Sequence, residues 1–521
     1  LHIEPAPPRV PAARTLRALA LLGPLLLGAC SLLQPVALPP AAAPFAAPAD
    51  WSGGGGVATP AQATVARTSS LVGWWRQFND PLLSDLIERA LRANTSIAAA
   101  QAALQQARAQ RDVAAAGLAT TVVGSAQAQR SKLDGGVPVN HYNVGFDATW
   151  EPDVFGARRH AYAAGEALAT ASAISLADVQ VSVAAEVARD YIELRGAQQR
   201  LAIAAANLDS QRRTLQITRW RTQAGLLTSL EEQQAITAAE QAAAQVPPLQ
   251  ASVAQLSHAL AVLCGQAPAV LDAVLAAPGA IPAAVDSVGL VLVLPAQALR
   301  QRPDVRAAEY QLAAARARVG QADAARYPVF QLQGSIGLSG IGMGGSGSTL
   351  LRALLGSVAG TAFDGGANRA QVALQRGALA QSQASYQALL LAALQDVEDG
   401  LAVLDADRVR AGHLRQAVAA ADHAARLASQ RYASGLVDFQ TVLETQRALY
   451  ASQDGLASTS ASLGTDMVRL YKALGGGWQA RDGEAGGAAA GPDADPASGA
   501  KPSAAADATP GGIAAVNRSP S

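Results

Sequence analysis

The side chains able to do chemistry are few in this sequence and stand apart from one another. Of the six histidines, His2 lies ahead of the body, and His141, His160, His258, His413 and His423 have no Cys, His or carboxylate companions at metal-ligand spacing. His413 and His423 share a helical stretch but fall on nearly opposite faces. The run Gly340-Ile341-Gly342-Met343-Gly344-Gly345 is rich in glycine, yet no Lys-Ser or Lys-Thr follows, so it reads as a flexible loop rather than a phosphate cradle. Glu186 and Glu193 lie on one helix, as do Asp396 and Asp399, with no evident cleft; charged helix faces of this kind are usually wet. No nucleophile, base and orienting group come together. The expectation is a chain that is not an enzyme, with no catalytic residue and no bound cofactor or metal. Only two Met are present, which disfavours a soft-metal relay.

One residue is placed for modification. Cys30 closes Leu25-Leu26-Leu27-Gly28-Ala29-Cys30, after a basic start (Arg14, Arg17) and a short apolar core from Ala18. Residues 1–29 read as a secretory signal, too short to span as a helix. Leu-Gly-Ala-Cys resembles the lipobox of bacterial lipoproteins, which implies a covalent lipid on the Cys30 thiol: diacylglycerol on sulfur and an acyl chain on the new N-terminus. By the sorting rule of such lipoproteins, Ser31 favours the outer membrane. A plain signal peptide with an incidental Cys is the alternative. Cys264, in Leu260-Ala261-Val262-Leu263-Cys264, reads as a small buried hydrophobe, and no intrachain disulfide is expected in the mature chain.

The elements around these residues follow from composition and period. Half of the 521 residues are apolar, much of that Ala, and Gln is abundant while aromatics are scarce. Such a sequence suits long, closely packed helices. Net charge is zero with no basic block, so a nucleic-acid partner is not expected. Residues 30–70, with Gly53-Gly54-Gly55-Gly56, read as a Pro/Ala/Gly-rich tether, and 479–521 as a disordered tail. Between them a unit of about 200 residues occurs twice, at 71–270 and 298–478, with 271–297 as linker. Ala90-Leu91-Arg92 matches Ala298-Leu299-Arg300. Further on Gly156 falls on Gly366, and Arg221-Thr222-Gln223-Ala224-Gly225 on Arg431-Tyr432-Ala433-Ser434-Gly435. Each unit contains a helix, two short alternating stretches and two long helical stretches. The expected long helices cover about 155–225, 228–264, 367–433 and 437–474. Leu390, Leu394, Val397, Leu401 and Leu404 step by four and three as a heptad seam. Val442, Leu449, Leu456, Leu463 and Leu470 recur every seventh residue beside a partly wet column of Gln446, Gln453 and Ser460.

The alternating stretches predict strands at about 119–130, 141–151, 329–339 and 355–364. Tyr142, Val144, Phe146, Ala148 and Trp150 share one face, and His141, Asn143, Gly145, Asp147 and Thr149 the other. Outside the leader no apolar run near ~20 residues is evident, so any bilayer crossing must use strands. On pattern alone, strands lining a barrel and a small soluble sheet packed on helices stand even. Geometry separates them: four strands cannot close a membrane barrel, for which roughly eight is the floor, and an open edge in lipid leaves backbone groups unpaired. Three copies pooling four strands each would make a twelve-stranded barrel around a polar lumen.

Several stretches are also familiar. Trp74-Trp75-Arg76-Gln77-Phe78-Asn79-Asp80-Pro81 followed by Leu91-Arg92-Ala93-Asn94 resembles the opening of outer-membrane factors of the TolC and OprM type, in the NodT-like lipoprotein branch. So do Val246-Pro247-Pro248-Leu249, Arg302-Pro303-Asp304-Val305, Phe363-Asp364-Gly365-Gly366 and Arg431-Tyr432-Ala433-Ser434-Gly435. The resemblance implies a mainly α chain with membrane β structure. It implies a homotrimer with a long coiled-coil α-barrel tunnel in the periplasm and a shared β-barrel in the outer membrane. It further implies a periplasmic adaptor and an inner-membrane pump of the resistance-nodulation-division class as partners, with outer-membrane lipid around the barrel. In this family acidic residues after the Arg-Tyr-x-x-Gly turn narrow the tunnel, in a Leu-Asp-Ala-Gln-Arg-like stretch. Here that stretch is Leu443-Glu444-Thr445-Gln446-Arg447, which gives the gate position to Glu444. A second acid of some members is replaced by Thr441, which puts a double acidic ring in doubt. Gly225, Gly435 and Arg431 fall at the helix-turn tips, where an adaptor would dock.

The function expected is passive conduction of drugs or other small toxic compounds through a tripartite pump. The alternatives are an exit duct for secreted polypeptides in a type I secretion system and a lipid-anchored coiled-coil scaffold without a pore. The strand pairs argue against the scaffold.

Overall fold

A computed structural model describes residues 73–478, apart from 133, 137, 283–298, 300 and 342–347. The leader, Cys30, the tether, most of the linker, most of the glycine-rich loop and the tail lie outside the described residues.

A 3₁₀ turn at Trp74–Phe78 leads to α1 (Pro81–Ala93) and α2 (Thr95–Ala116), then β1 (Thr121–Ser131) and β2 (Val139–Trp150). Next come α3 (Ala157–Gln223), α4 (Ser229–Ala244), α5 (Val246–Leu263) and the short α6 (Asp272–Leu275). The second half runs α7 (Pro303–Ala324), β3 (Val329–Ile341), β4 (Thr349–Ala359), α8 (Ala367–Ala433) and α9 (Phe439–Ala473). Helices α3 and α8 have 67 residues each, about 100 Å at ~1.5 Å per residue. Each starts after a left-handed glycine, Gly156 or Gly366, where a side chain would be strained. Part of α3 is apolar enough by composition to pass for a membrane span, which inspection for unbroken apolar runs overlooks. Its Ala171, Val181, Val187 and Ala188 are spent on packing within the protomer.

Two helices replace the single one expected over 228–264. Pro247 and Pro248 fall in the first turn of α5, where a missing N–H is tolerated; deeper inside a continuous helix they would remove hydrogen bonds and clash with the preceding turn. The fourth strand occupies Thr349–Ala359 rather than 355–364. Leu350-Leu351 and Leu354-Leu355 break the alternation that marks a half-buried strand, and pairing with β3 sets its place instead.

The four strands form one antiparallel sheet in the order β1-β2-β3-β4, leaving β1 and β4 as edges. The register fixes the faces. Val122 pairs Ala148, Phe146 pairs Ile336, Leu338 pairs Leu350 and Phe330 pairs Val358, so even-numbered residues line an apolar face. Odd-numbered residues line the other: Gln127, Asn143 and Ser339 in one row, Thr149 and Gln333 in another. Gly145 lies opposite Gly337. A Cβ on either would come within 3.0 Å of the other strand's backbone oxygen, so these glycines permit a close approach of β2 and β3. Both hairpins lie at the end of the sheet away from the helices, because all four strands meet their helices at the opposite end.

The main core forms where α1, α3, α5 and α9 meet. Trp74, Leu83, Leu86, Ile87, Leu194 and Leu470 are completely buried there. Trp74 stacks on Tyr471 with ring centroids 5.3 Å apart. Asp80 accepts from the backbone N–H of Leu82 at 2.9 Å and Leu83 at 3.0 Å, capping α1, a contribution of about 1 kcal/mol. Its other oxygen accepts from Tyr191 Oη at 2.8 Å. Burial, against the opposing Arg195, pushes the Tyr191 phenol up to about 12. Arg302, from the Arg-Pro-Asp motif, donates to Asp304 at 2.7 Å and Asp396 at 3.0 Å and reaches the carbonyls of Ala393 and Ala473 at 3.4 Å each. It ties the start of α7 to α8 and to the end of α9. Burial would raise Asp304, but the Arg302 guanidinium holds its carboxyl below the usual range. Cys264 is buried, and burial pushes its thiol up; it packs as a hydrophobe. Of the heptad seam in α8, Leu390, Val397 and Leu404 are buried and Leu394 and Leu401 half-buried.

Candidate functional site

Both long helices end in the same turn, and the reason is local. Gly225 and Gly435 adopt φ of 72° and 74°, the left-handed conformation that closes a helix. Around the first, Gly225 N–H donates to Thr222 O at 2.9 Å and Leu226 N–H to Arg221 O at 2.8 Å. Around the second, Gly435 N–H donates to Tyr432 O at 3.0 Å and Leu436 N–H to Arg431 O at 2.8 Å. The space beside both glycines is open. Leu226 and Leu436 are 72% and 74% exposed, so each tip ends in an uncovered apolar side chain.

The return helices are capped by different chemistry. Thr228 and Glu231 form a reciprocal capping box at the start of α4. At the start of α9, Asp438 accepts from Thr441 N–H at 2.9 Å and from the Thr441 hydroxyl at 2.5 Å. That hydroxyl, then the backbone N–H, holds the Asp438 carboxyl below its ordinary value. Thr441 therefore spends its side chain on the cap. Glu444, one turn on, is exposed and accepts from Gln440 Nε2 at 3.0 Å. It makes no ion pair with the described residues, so its charge stays available to whatever faces α9.

The tips are joined by a residue that sequence reasoning passed over. Arg221, near the end of α3, donates to the carbonyl oxygens of Tyr432 at 3.3 Å and Ala433 at 3.2 Å, at the end of α8. Its guanidinium lies 4.5 Å from the centroid of the Tyr432 ring. A cation at the carboxyl end of a helix also meets the negative pole of its dipole. Tyr432 in turn packs against Phe439, 5.9 Å away, in a small core with Ala235, Ala238, Ala428, Val442 and Leu443. Further up, Gln211 Nε2 donates to Gln446 Oε1 at 3.1 Å in a buried pair. Arg431, the counterpart of Arg221, is exposed and makes no side-chain hydrogen bond or ion pair with the described residues. The signal for Arg221 was present, since an Arg stands four residues before the glycine of both turns; the pairing of helices that decides which Arg is engaged was not.

The other charged positions behave as solvated faces or local ties. Arg189 lies 3.7 Å from Glu186, 2.9 Å from Asp190 and 3.8 Å from Glu193. Among the described residues no group of three potential metal ligands comes together. Among the described residues the arrangement brings together a paired helical tip, an available carboxylate near it and a sheet with two open edges.

The sequence profile of the family described as "Outer membrane efflux protein" matches residues 86–266 and 294–476. Outer membrane protein OprJ of Pseudomonas aeruginosa is 32% identical over 88% of this chain and 95% of its own length. Nodulation protein T of Rhizobium leguminosarum bv. viciae is 29% identical over 78% of this chain and 84% of its own. Among solved structures, the outer-membrane channel OprN superposes with a TM-score of 0.76 at 32% identity, over 85% of this chain and 99% of that one.

Proposed function

From the premise that this chain belongs to the outer membrane efflux protein family, we propose that three copies join β4 to β1 around a common axis, forming a twelve-stranded barrel continued by a helical tunnel. The chain is the outer-membrane channel of a tripartite efflux system, with a periplasmic adaptor and an inner-membrane pump as partners, and it conducts without catalysis. Its helical part lies in the periplasm. The observation that carries the trimer is the sheet itself: four strands, apolar on one face, with both edges unpaired. In lipid each unpaired backbone group costs several kcal/mol, and only closure removes that cost.

The finer assignments rest on the tip. Glu444 from three copies would form an acidic ring at the periplasmic end, favouring cations. Thr441, committed to capping, adds no charge to it. Gly225, Gly435 and the free Arg431 offer the adaptor a surface with two exposed leucines beside it. The pump is assigned to the resistance-nodulation-division class, the cargo to small toxic compounds, and the anchor to acylated Cys30.

The test is the purified full-length protein in detergent and in planar bilayers. A mass of three chains and a stable conductance are expected, and Glu444→Gln should weaken cation preference. A monomer that passes no current overturns the reading; a conducting trimer in which Glu444→Gln changes neither conductance nor cation preference removes only the gate assignment.

A further inference from the structure

The odd-numbered face of the sheet is almost without charge. Its residues on the described strands are mostly Ser, Thr, Gln, Asn and small or apolar ones, and its ionisable groups are His141 and Asp147, both on β2. Asp147 is the one carboxylate among the described strand residues. Arg130 and Arg352 stand on the even-numbered, apolar face, so the thickness of the wall separates them from the odd-numbered side. In a closed barrel the odd-numbered face turns to the water-filled lumen, and Asp147 is left as its fixed negative charge.

The surroundings leave that charge uncommitted. The register places Val123 and Ser335 directly beside Asp147, with Ala353 beyond Ser335 in the same row. The next row of this face, towards the hairpins, holds Gly145 and Gly337, which have no side chain to rise over the carboxylate. Asp147 makes no hydrogen bond or ion pair with the described residues. It is half-buried, and with small neutral neighbours it keeps both its hydration and its field.

Closure sets how far the field reaches. Twelve strands ~4.8 Å apart and tilted by ~40° form a ring of about 12 Å radius, which puts the three carboxylates about 9 Å from the axis and about 15 Å apart. The screening length is ~10 Å at 0.1 M salt and ~30 Å at 0.01 M. The three fields therefore just span the lumen at the higher salt and overlap throughout it at the lower. We infer that Asp147 gives the barrel a charge preference: three copies form a negative band that draws small organic cations into the lumen and holds back anions. The inference rests on the trimeric barrel, and it is separate from the acidic ring proposed at Glu444, at the far end of the helices.

The experiment reads the potential at the wall itself, so the narrow tip does not limit it. Ser335→Cys sets a thiol in the row of Asp147, and Ala353→Cys, one strand over, is a second reporter. Full-length protein in phosphatidylcholine vesicles is treated with cationic or anionic methanethiosulfonates of like size, and the rates are followed by mass spectrometry. Labelling of the chain with Ser335 and Ala353 intact is subtracted as background. A unit charge ~7 Å away through water changes the local concentration of each reagent about threefold, in opposite senses. At ~10 mM salt, adding Asp147→Asn should therefore lower the cation-to-anion rate ratio about fivefold or more, and ~1 M salt should erase the difference. The ratio cancels any effect of Asp147 on the ionisation of the thiol. Adding Glu444→Gln instead should leave the ratio unchanged. A ratio that Asp147→Asn does not alter, at either reporter, overturns the proposal and leaves the barrel standing. A ratio that falls equally with Glu444→Gln assigns the preference to the tip and overturns it too. Reporter thiols that neither reagent reaches overturn the barrel reading along with it.

Discussion

Replacing Arg221 with Ala should loosen the paired helix ends at the tip without unfolding the helices. The side chain makes two hydrogen bonds to carbonyls at 3.3 and 3.2 Å, long enough that each is worth the lower end of the range, about 0.5–1 kcal/mol. The stacked contact with the Tyr432 ring adds about 0.5–1 kcal/mol at a partly exposed position. Discounted for the half-buried guanidinium, the sum is about 1.5 kcal/mol per copy, or about a tenfold shift from closed towards open. The assay is planar-bilayer conductance of the purified protein without adaptor or pump, at fixed ionic strength. Mean conductance should rise for Arg221→Ala, and Arg221→Lys should fall between, since it keeps the charge and loses the fork. Arg431→Ala is the internal comparison, because its side chain is free in this structure and its loss should leave conductance unchanged. Equal conductance for wild type and Arg221→Ala, with oligomeric mass intact, would refute the latch. So would an equal rise in Arg431→Ala.

Three further outcomes follow from the packing. Gly265→Ala and Gly475→Ala place a Cβ 2.3 Å from Ala93 O and 2.8 Å from Gln301 O at φ of 70° and 76°, so each should cost more than about 2 kcal/mol in thermal unfolding. Gly225→Ala, with φ 72° and open space, should cost only about 1 kcal/mol. Gln446→Leu strands the buried Gln211 amide and should destabilise by about 1–3 kcal/mol in denaturant titration, while the double change Gln211→Leu/Gln446→Leu recovers much of the loss. The phenol of Tyr191 ionises at about 12 in the fold against an ordinary 10.0. The unfolded chain therefore gives up that proton first, so stability is full below pH 10.0 and declines towards pH 12. Melting curves across that window should show the decline, and Tyr191→Phe should flatten it; an unchanged slope in the variant would assign the decline to other groups.

How far the sequence discloses this architecture depends on whether a feature is local. The turns at Gly225 and Gly435 and the starts at Gly156 and Gly366 are local, because each needs a left-handed residue where a helix must begin or end. Strand β2 is legible because its two faces meet different surroundings. Strand β4 is not: with Leu350-Leu351 and Leu354-Leu355 it is apolar on both faces, and only the β3 register places it. At the tip, Glu444 and Thr441 are singled out only through the family resemblance. The capping role of Thr441 is decided by Asp438, three residues earlier, which satisfies the first turn of α9 with its own carboxylate. Arg221 and Arg431 stand at like positions before the two turns, and nothing along the chain says which one reaches across.

Equal helix length supplies that missing step. Helices α3 and α8 both begin at a glycine just beyond the sheet and both run 67 residues, so their ends arrive side by side. A difference of one residue would slide one end by ~1.5 Å and turn it by about 100°, enough to carry Arg221 away from the Tyr432 and Ala433 carbonyls. The turn after α3 exposes Leu226 and that after α8 exposes Leu436, yet only the first helix sends its Arg inward to hold its neighbour. Two similar hairpins are thereby made unequal. The latch sits on the end of α8, whose return helix carries Glu444. Releasing Arg221 frees the carboxyl end of α8, and any movement there passes through Tyr432 and Phe439 to the first turns of α9. The Arg221 contact and Glu444, the residue proposed for the gate, thus lie on either side of one small apolar core, and under that proposal a change at the first is expected to reach the second.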